Sequence, residues 1–128
     1  MTRALQTAFA AWLDNALAEK IPRRVVAFNF NLYEGEDSYH VDLIGAPSYN
    51  PRNSEWACTE LFAAREPVFE IPRSSRIKTW RRAQSVALEL IRSYLGRDHT
   101  NAQRLKNARA VTVGFVDGDL VRVWPTAS

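Results

Sequence analysis

Apolar residues recur along this chain at two periods, and the switch between them divides it into elements. Over residues 3–20, Leu5, Phe9, Trp12, Leu13, Ala16 and Leu17 fall at helical spacing. With Thr2 ahead to cap the stretch and Pro22 beyond to stop it, a surface helix laid on a core is predicted. From Val25 the period becomes two. Val26, Phe28, Phe30 and Leu32 alternate with Ala27, Asn29, Asn31 and Tyr33 as far as the polar turn 34–37, and residues 39–44 predict a second strand returning antiparallel. With 34–37 as the loop, Leu32 faces Tyr39, Phe30 faces Val41 and Phe28 faces Leu43, while Asn31 faces His40 and Asn29 faces Asp42. One side of the hairpin is then apolar and the other polar.

Residues 46–54 are rich in turn formers, and residues 56–62 predict a third strand that ends in the 63–67 segment. A short fourth strand at 68–71 lies between Pro67 and Pro72, which suits an edge position. A long helix at about 75–95 is the clearest element: Ile77, Trp80, Ala83, Ala87, Leu90, Ile91 and Tyr94 form one apolar stripe, Ser74 or Ser75 caps the start and Gly96 marks the end. Its other side carries Arg76, Lys78, Arg81, Arg82 and Arg92. A further helical turn falls within 98–108. Residues 110–124 then read as a β-hairpin turning at Asp117-Gly118, with Gly118 supplying a positive φ and Val111, Val113, Phe115, Leu120 and Trp124 supplying core. The pattern predicts one α+β domain over 1–128: an antiparallel sheet of about five or six strands, an N-terminal helix and the long helix packed on it, and a C-terminal β-hairpin.

Composition narrows the classes. At 128 residues with 46% hydrophobic and 24% charged positions, the chain suits one globular core. One cysteine, Cys58, excludes an internal disulfide, and with only two histidines it offers no structural zinc set. Arg3, Asp14, Glu19 and Lys20 interrupt the first twenty residues, which therefore resemble neither a signal peptide nor a membrane span, and a cytoplasmic location is expected. The net charge of +3 conceals an asymmetry: residues 1–64 hold 5 basic and 8 acidic groups, and residues 65–128 hold 12 and 6.

No glycine-rich phosphate loop, nucleophile elbow or metalloprotease helix is present, and no cofactor is implied. A Cys58–His40 nucleophile pair oriented by Asp42 is conceivable, but a strand carrying Trp56 and Phe62 in phase with Cys58 favours a packed small hydrophobe. Asn29, Asn31, His40 and Asp42, with the acidic turn Glu34, Glu36 and Asp37 beside them, make the candidate binding patch, since paired asparagines are unusual in a strand. The alternative for that patch is a solvated sheet face. The arginine-rich helix face suggests nucleic acid as a weaker alternative, because Trp80 and Tyr94 fall on the apolar stripe and are expected to be buried rather than free to stack.

Three segments taken together carry a resemblance: residues 28–34 (FNFNLYE) leading to 40–45 (HVDLIG), Trp56-Ala57-Cys58, and residues 114–119 (GFVDGD). In this order they resemble small bacterial immunity proteins encoded beside polymorphic or contact-dependent growth-inhibition toxins. The resemblance covers most of residues 24–124. It implies a protein that is not an enzyme and that binds a cognate toxin domain, blocking its active site or its access to substrate through complementary burial and a few charged anchors. Inhibitors of basic nuclease toxins tend to be acidic, whereas this chain is net basic. Contact through the acidic N-terminal half, or a toxin of another kind, reconciles the two. The oligomeric state is left open.

Overall fold

In the computed structural model, which describes residues 2–126, the chain runs α1 (Arg3–Ala18), β1 (Ala27–Glu34), β2 (Ser38–Ala46), a 3₁₀ turn (Ser54–Cys58), β3 (Phe62–Pro72), α2 (Trp80–Leu95), α3 (Thr100–Lys106), β4 (Ala110–Phe115) and β5 (Val121–Trp124). The fold is α+β, with five strands in the order β3-β2-β1-β4-β5. Every neighbouring pair is antiparallel except β1 and β4, which run parallel. That pair makes the sheet mixed. It follows from the connection, because the route from β3 to β4 passes through both α2 and α3, and a parallel neighbour needs such a crossover.

Thr2 caps α1 by accepting from the Leu5 amide at 3.1 Å, and Thr79 caps α2 by accepting from the Arg82 amide at 3.1 Å. The long helix therefore begins five residues later than the serines suggest. Ser74 instead closes a turn with Ile77, and Arg76 and Lys78 precede the helix. All three helices lie on one side of the sheet. Phe9, Trp12, Leu13 and Leu17 of α1 and Ala83, Val86, Leu90, Ile91 and Tyr94 of α2 pack on Phe28, Phe30, Leu32, Val41, Leu43, Phe69, Val111 and Val113, forming the main core.

Three strand expectations are corrected. Of residues 56–62 only Phe62 is in a strand, as the first residue of β3: Asn53 caps a 3₁₀ turn before it, Trp56 points inward and Cys58 is exposed rather than packed. The 63–67 segment expected to end a strand and the short fourth strand expected at 68–71 are instead one edge strand, β3, which continues past Pro67 because the sheet's outer edge demands no ladder bond from it. The β1–β2 hairpin pairs Leu32 with Val41, Phe30 with Leu43 and Asn31 with Asp42, two residues from the expected register. An even slip leaves every side chain on its assigned face.

The C-terminal hairpin differs in its turn. Gly118 has no positive φ; its amide donates to the Phe115 carbonyl at 2.9 Å, and residues 116–120 form a wider loop. That loop folds back over the sheet's other face, where a Cβ on Gly114 would lie 2.6 Å from the Asp119 carbonyl oxygen. Leu120 consequently leaves the main core and joins a smaller cluster of Ala27, Ile44, Ala46 and Trp56, with Tyr49 edge-on to Trp56 at 5.1 Å.

Candidate partner-binding site

The polar side of the hairpin is covered rather than solvated at its centre. Alternation brings Asn29, Asn31, Asp42 and Thr112 to the face opposite the helices, where the 3₁₀ turn and the C-terminal loop close over part of it. Asn29 is 1% exposed and Asp42 5%. Burial of these groups requires partners, and they form one relay across four strands. Thr112 Oγ1 donates to Asn29 Oδ1 at 2.8 Å, Asn29 Nδ2 to Asn31 Oδ1 at 2.7 Å, and Asn31 Nδ2 to Asp42 Oδ1 at 2.9 Å. Arg65 Nε then donates to Asp42 Oδ2 at 3.3 Å, and its Nη2 reaches both carboxylate oxygens of Glu60 at 2.8 Å.

An irregularity in β3 places Arg65 there. Phe69 pairs with Val41 and Ala64 with Leu43, so residues 65–68 oppose Asp42 alone and bulge toward it. The Glu60 carboxylate, opposed by burial and aided by Asp42, holds the Arg65 guanidinium firmly protonated. Burial and the nearby Asp42 charge together push the Tyr33 phenol above its ordinary range, while Arg65 pulls it back.

His40 stands beside this relay without joining it. Its Nε2 lies 3.5 Å from Glu70 Oε1, its ring meets Tyr33 edge-on at 5.2 Å, and it packs over Gly35, where a Cβ would come within 2.5 Å of Nε2. Cys58, exposed on the 3₁₀ turn, forms no hydrogen bond with it. Among the described residues no group of three or more His, Cys, Asp or Glu is arranged to hold a metal ion, and no helix is long and apolar enough to cross a membrane.

The remaining three expected residues lie at the hairpin's tip. Glu34, Glu36 and Asp37 are exposed, and Arg73 straps the turn: its Nη2 lies 3.4 Å from Glu34 Oε2 and 3.3 Å from the Gly35 carbonyl oxygen, and its amide donates to the Asp37 carbonyl at 3.3 Å. The Arg73 guanidinium also sits over the Tyr39 ring, 4.3 Å from its centre.

Beside this tip is a feature the stripe pattern misassigned. Trp80 is 47% exposed and Val116 61% exposed; among the described residues these are the exposed large hydrophobics. Together with Tyr33, Glu34, Phe115 and Asp117 they line an open groove of about 440 Å³. Trp80 stands at the first position of α2, where Phe115 meets it edge-on at 5.8 Å and Arg81 lies 5.2 Å from its ring centre. A sequence signal for this was present: Thr79 is also a capping residue, though a weaker one than Ser75, and a cap there makes Trp80 the first helical residue rather than a mid-stripe one.

Compared with protein-family models, with curated proteins and with solved structures, the chain matches none.

Proposed function

We propose that this protein is not an enzyme but a binding protein, that its partner is a bacterial toxin domain, and that it neutralises that domain in the cytoplasm as immunity proteins do. The observation that carries a protein-binding role is the exposed Trp80–Val116 pair beside the acidic tip Glu34, Glu36 and Asp37. Tryptophan with a rim of charge is the composition of an interface anchor. The relay through Asn29, Asn31 and Asp42 serves this role from below, fixing the two strands whose ends carry the tip. Binding through this end would lay the body of the domain across the toxin's active site or its substrate path. The resemblance of residues 28–34, 40–45 and 114–119 to immunity proteins supplies the class of partner.

The direct test is whether a gene for a large secreted protein lies immediately upstream and, where it does, co-expression with that protein's C-terminal domain; a locus without such a gene would count against the reading. Growth is expected to be restored, and the two chains are expected to co-purify. Persistent growth arrest with abundant folded protein and no complex would overturn the reading.

The exposure of Trp80 next to Arg81 and Arg82 favours a second reading, in which the α2 face stacks on and neutralises a nucleic acid. Binding that weakens steeply with salt and disappears when Arg81 and Arg82 are reversed in charge would mark it. Asp117 in the groove, and Glu36 and Asp37 exposed on the turn beside it, oppose this reading by repelling phosphate.

A further inference from the structure

We infer that the groove between Trp80 and Val116 receives a cationic side chain, arginine or lysine, carried on an apolar-flanked segment of the partner. This rests on the protein-binding reading above and names the chemistry of its contact.

The groove is acidic within a basic protein. Of the two carboxylates that line it, Glu34 is already met by Arg73 at 3.4 Å and Arg81 lies against Trp80, so Asp117, which makes no ion pair among the described residues, is the charge offered to a ligand, with Glu36 and Asp37 of the same sign on the adjoining turn. Trp80, 47% exposed and met edge-on by Phe115, is the aromatic wall it offers to whatever enters. A ring face attracts a cation, and a carboxylate beside it fixes where the charge sits.

The same end of the molecule already makes this arrangement from its own residues. The Arg73 guanidinium lies 4.3 Å from the centre of the Tyr39 ring while reaching Glu34 at 3.4 Å, and the Arg81 guanidinium lies 5.2 Å from the centre of Trp80. The groove repeats the pairing of ring and carboxylate with Asp117 in place and leaves room, at about 440 Å³, for a long side chain and its neighbours. Val116 and the exposed part of Trp80 then cover the apolar flanks of the incoming segment. An anionic ligand would meet the Asp117 carboxylate instead.

The test is a ¹H–¹⁵N NMR titration of the full chain with a capped peptide of alternating leucine and arginine, and with its counterpart carrying glutamate for arginine. The arginine peptide is expected to shift the Trp80 indole N–H and the Val116 amide, and to bind about tenfold or more tightly than the glutamate peptide. Raising the salt from about 0.05 M to about 0.5 M is expected to weaken it several-fold. Val116→Lys, a change at an exposed loop position, is expected to weaken it about tenfold, and Glu34→Gln with Asp117→Asn to weaken it several-fold.

Absence of binding by the arginine peptide, shifts confined to another surface, equal or tighter binding of the glutamate peptide, or indifference to Val116→Lys would each overturn the inference. So would a concentration-dependent dimer in sedimentation velocity that Val116→Lys abolishes, because the occupant would then be a second copy of this chain. Failure here with growth restored in co-expression removes the groove chemistry and leaves the toxin reading. Capture of the peptide at Trp80 without growth rescue does the reverse.

Discussion

Asn29 joins two strands through a side chain that water does not reach. Its amide accepts from Thr112 on β4 and donates to Asn31, so that truncation takes the donor from the Asn31 amide oxygen and leaves the buried Thr112 hydroxyl only the Phe28 carbonyl at 3.4 Å. We expect Asn29→Ala to cost about 2–3 kcal/mol, read from the urea unfolding midpoint at constant slope. Trp80→Ala, at a half-exposed helix start, is expected to cost less than about 1 kcal/mol in the same assay. The contrast separates residues that hold the site from residues that touch the partner. Alternation alone put Asn29, Asn31 and Asp42 on one polar face, because a strand's side-chain period is two. That the face is covered was not legible, since its cover comes from residues 47–58 and 116–120, whose approach is a matter of long-range packing rather than local pattern. The exposure of Trp80 is hidden from the sequence for a related reason: spacing shows which side of a helix a residue occupies, not whether anything faces its first turn.

Between elements, Asp14 is the tie among the three helices. Its Oδ1 accepts from Tyr94 of α2 at 2.6 Å and from Asn101 of α3 at 3.2 Å. Burial alone would raise the Asp14 carboxyl, but these two hydrogen bonds, with positive charge from Arg97 and a His99 contribution, hold it below its ordinary value of 3.8. A carboxyl lowered on folding adds stability that is fully present above its unfolded value and is lost as pH falls through the folded one. We therefore expect stability to decline as pH drops below 3.8, and Asp14→Asn to flatten that part of the decline in a series of unfolding curves. The helices and the hairpin were readable as elements because their periods are long and unbroken. Their boundaries were not. β3 runs through Pro67 on the sheet edge, α2 waits for Thr79, and the β1–β2 register depends on a turn only three residues long, 35–37. Each of these is settled by neighbours the local sequence does not name. The parallel β1–β4 pair belongs with them, since strand order depends on where the crossover returns.

Across the whole molecule, charge and apolar exposure are arranged by end. The strand tips that carry Glu34, Glu36, Asp37 and Asp117 also carry Val116 and stand beside Trp80, while Arg82 and Arg92 lie exposed along α2. A net charge of +3 averages over this and hides it. The acidic tip could be expected from the composition of residues 34–37, but its union with Trp80 and the C-terminal loop required the fold, because these segments lie far apart in the chain. Binding by a small acidic and aromatic patch, braced by a buried polar relay, is the central claim. It is tested most directly by isothermal titration calorimetry of the full chain against the toxin domain that the proposal expects beside its gene, with Trp80→Ala run beside the unaltered protein. We expect saturable one-to-one binding, a dissociation constant raised about tenfold or more by Trp80→Ala, and a melting temperature lowered by no more than about 5 °C for that variant. No heat of binding to an active toxin domain, or equal affinity for the two proteins, would contradict it.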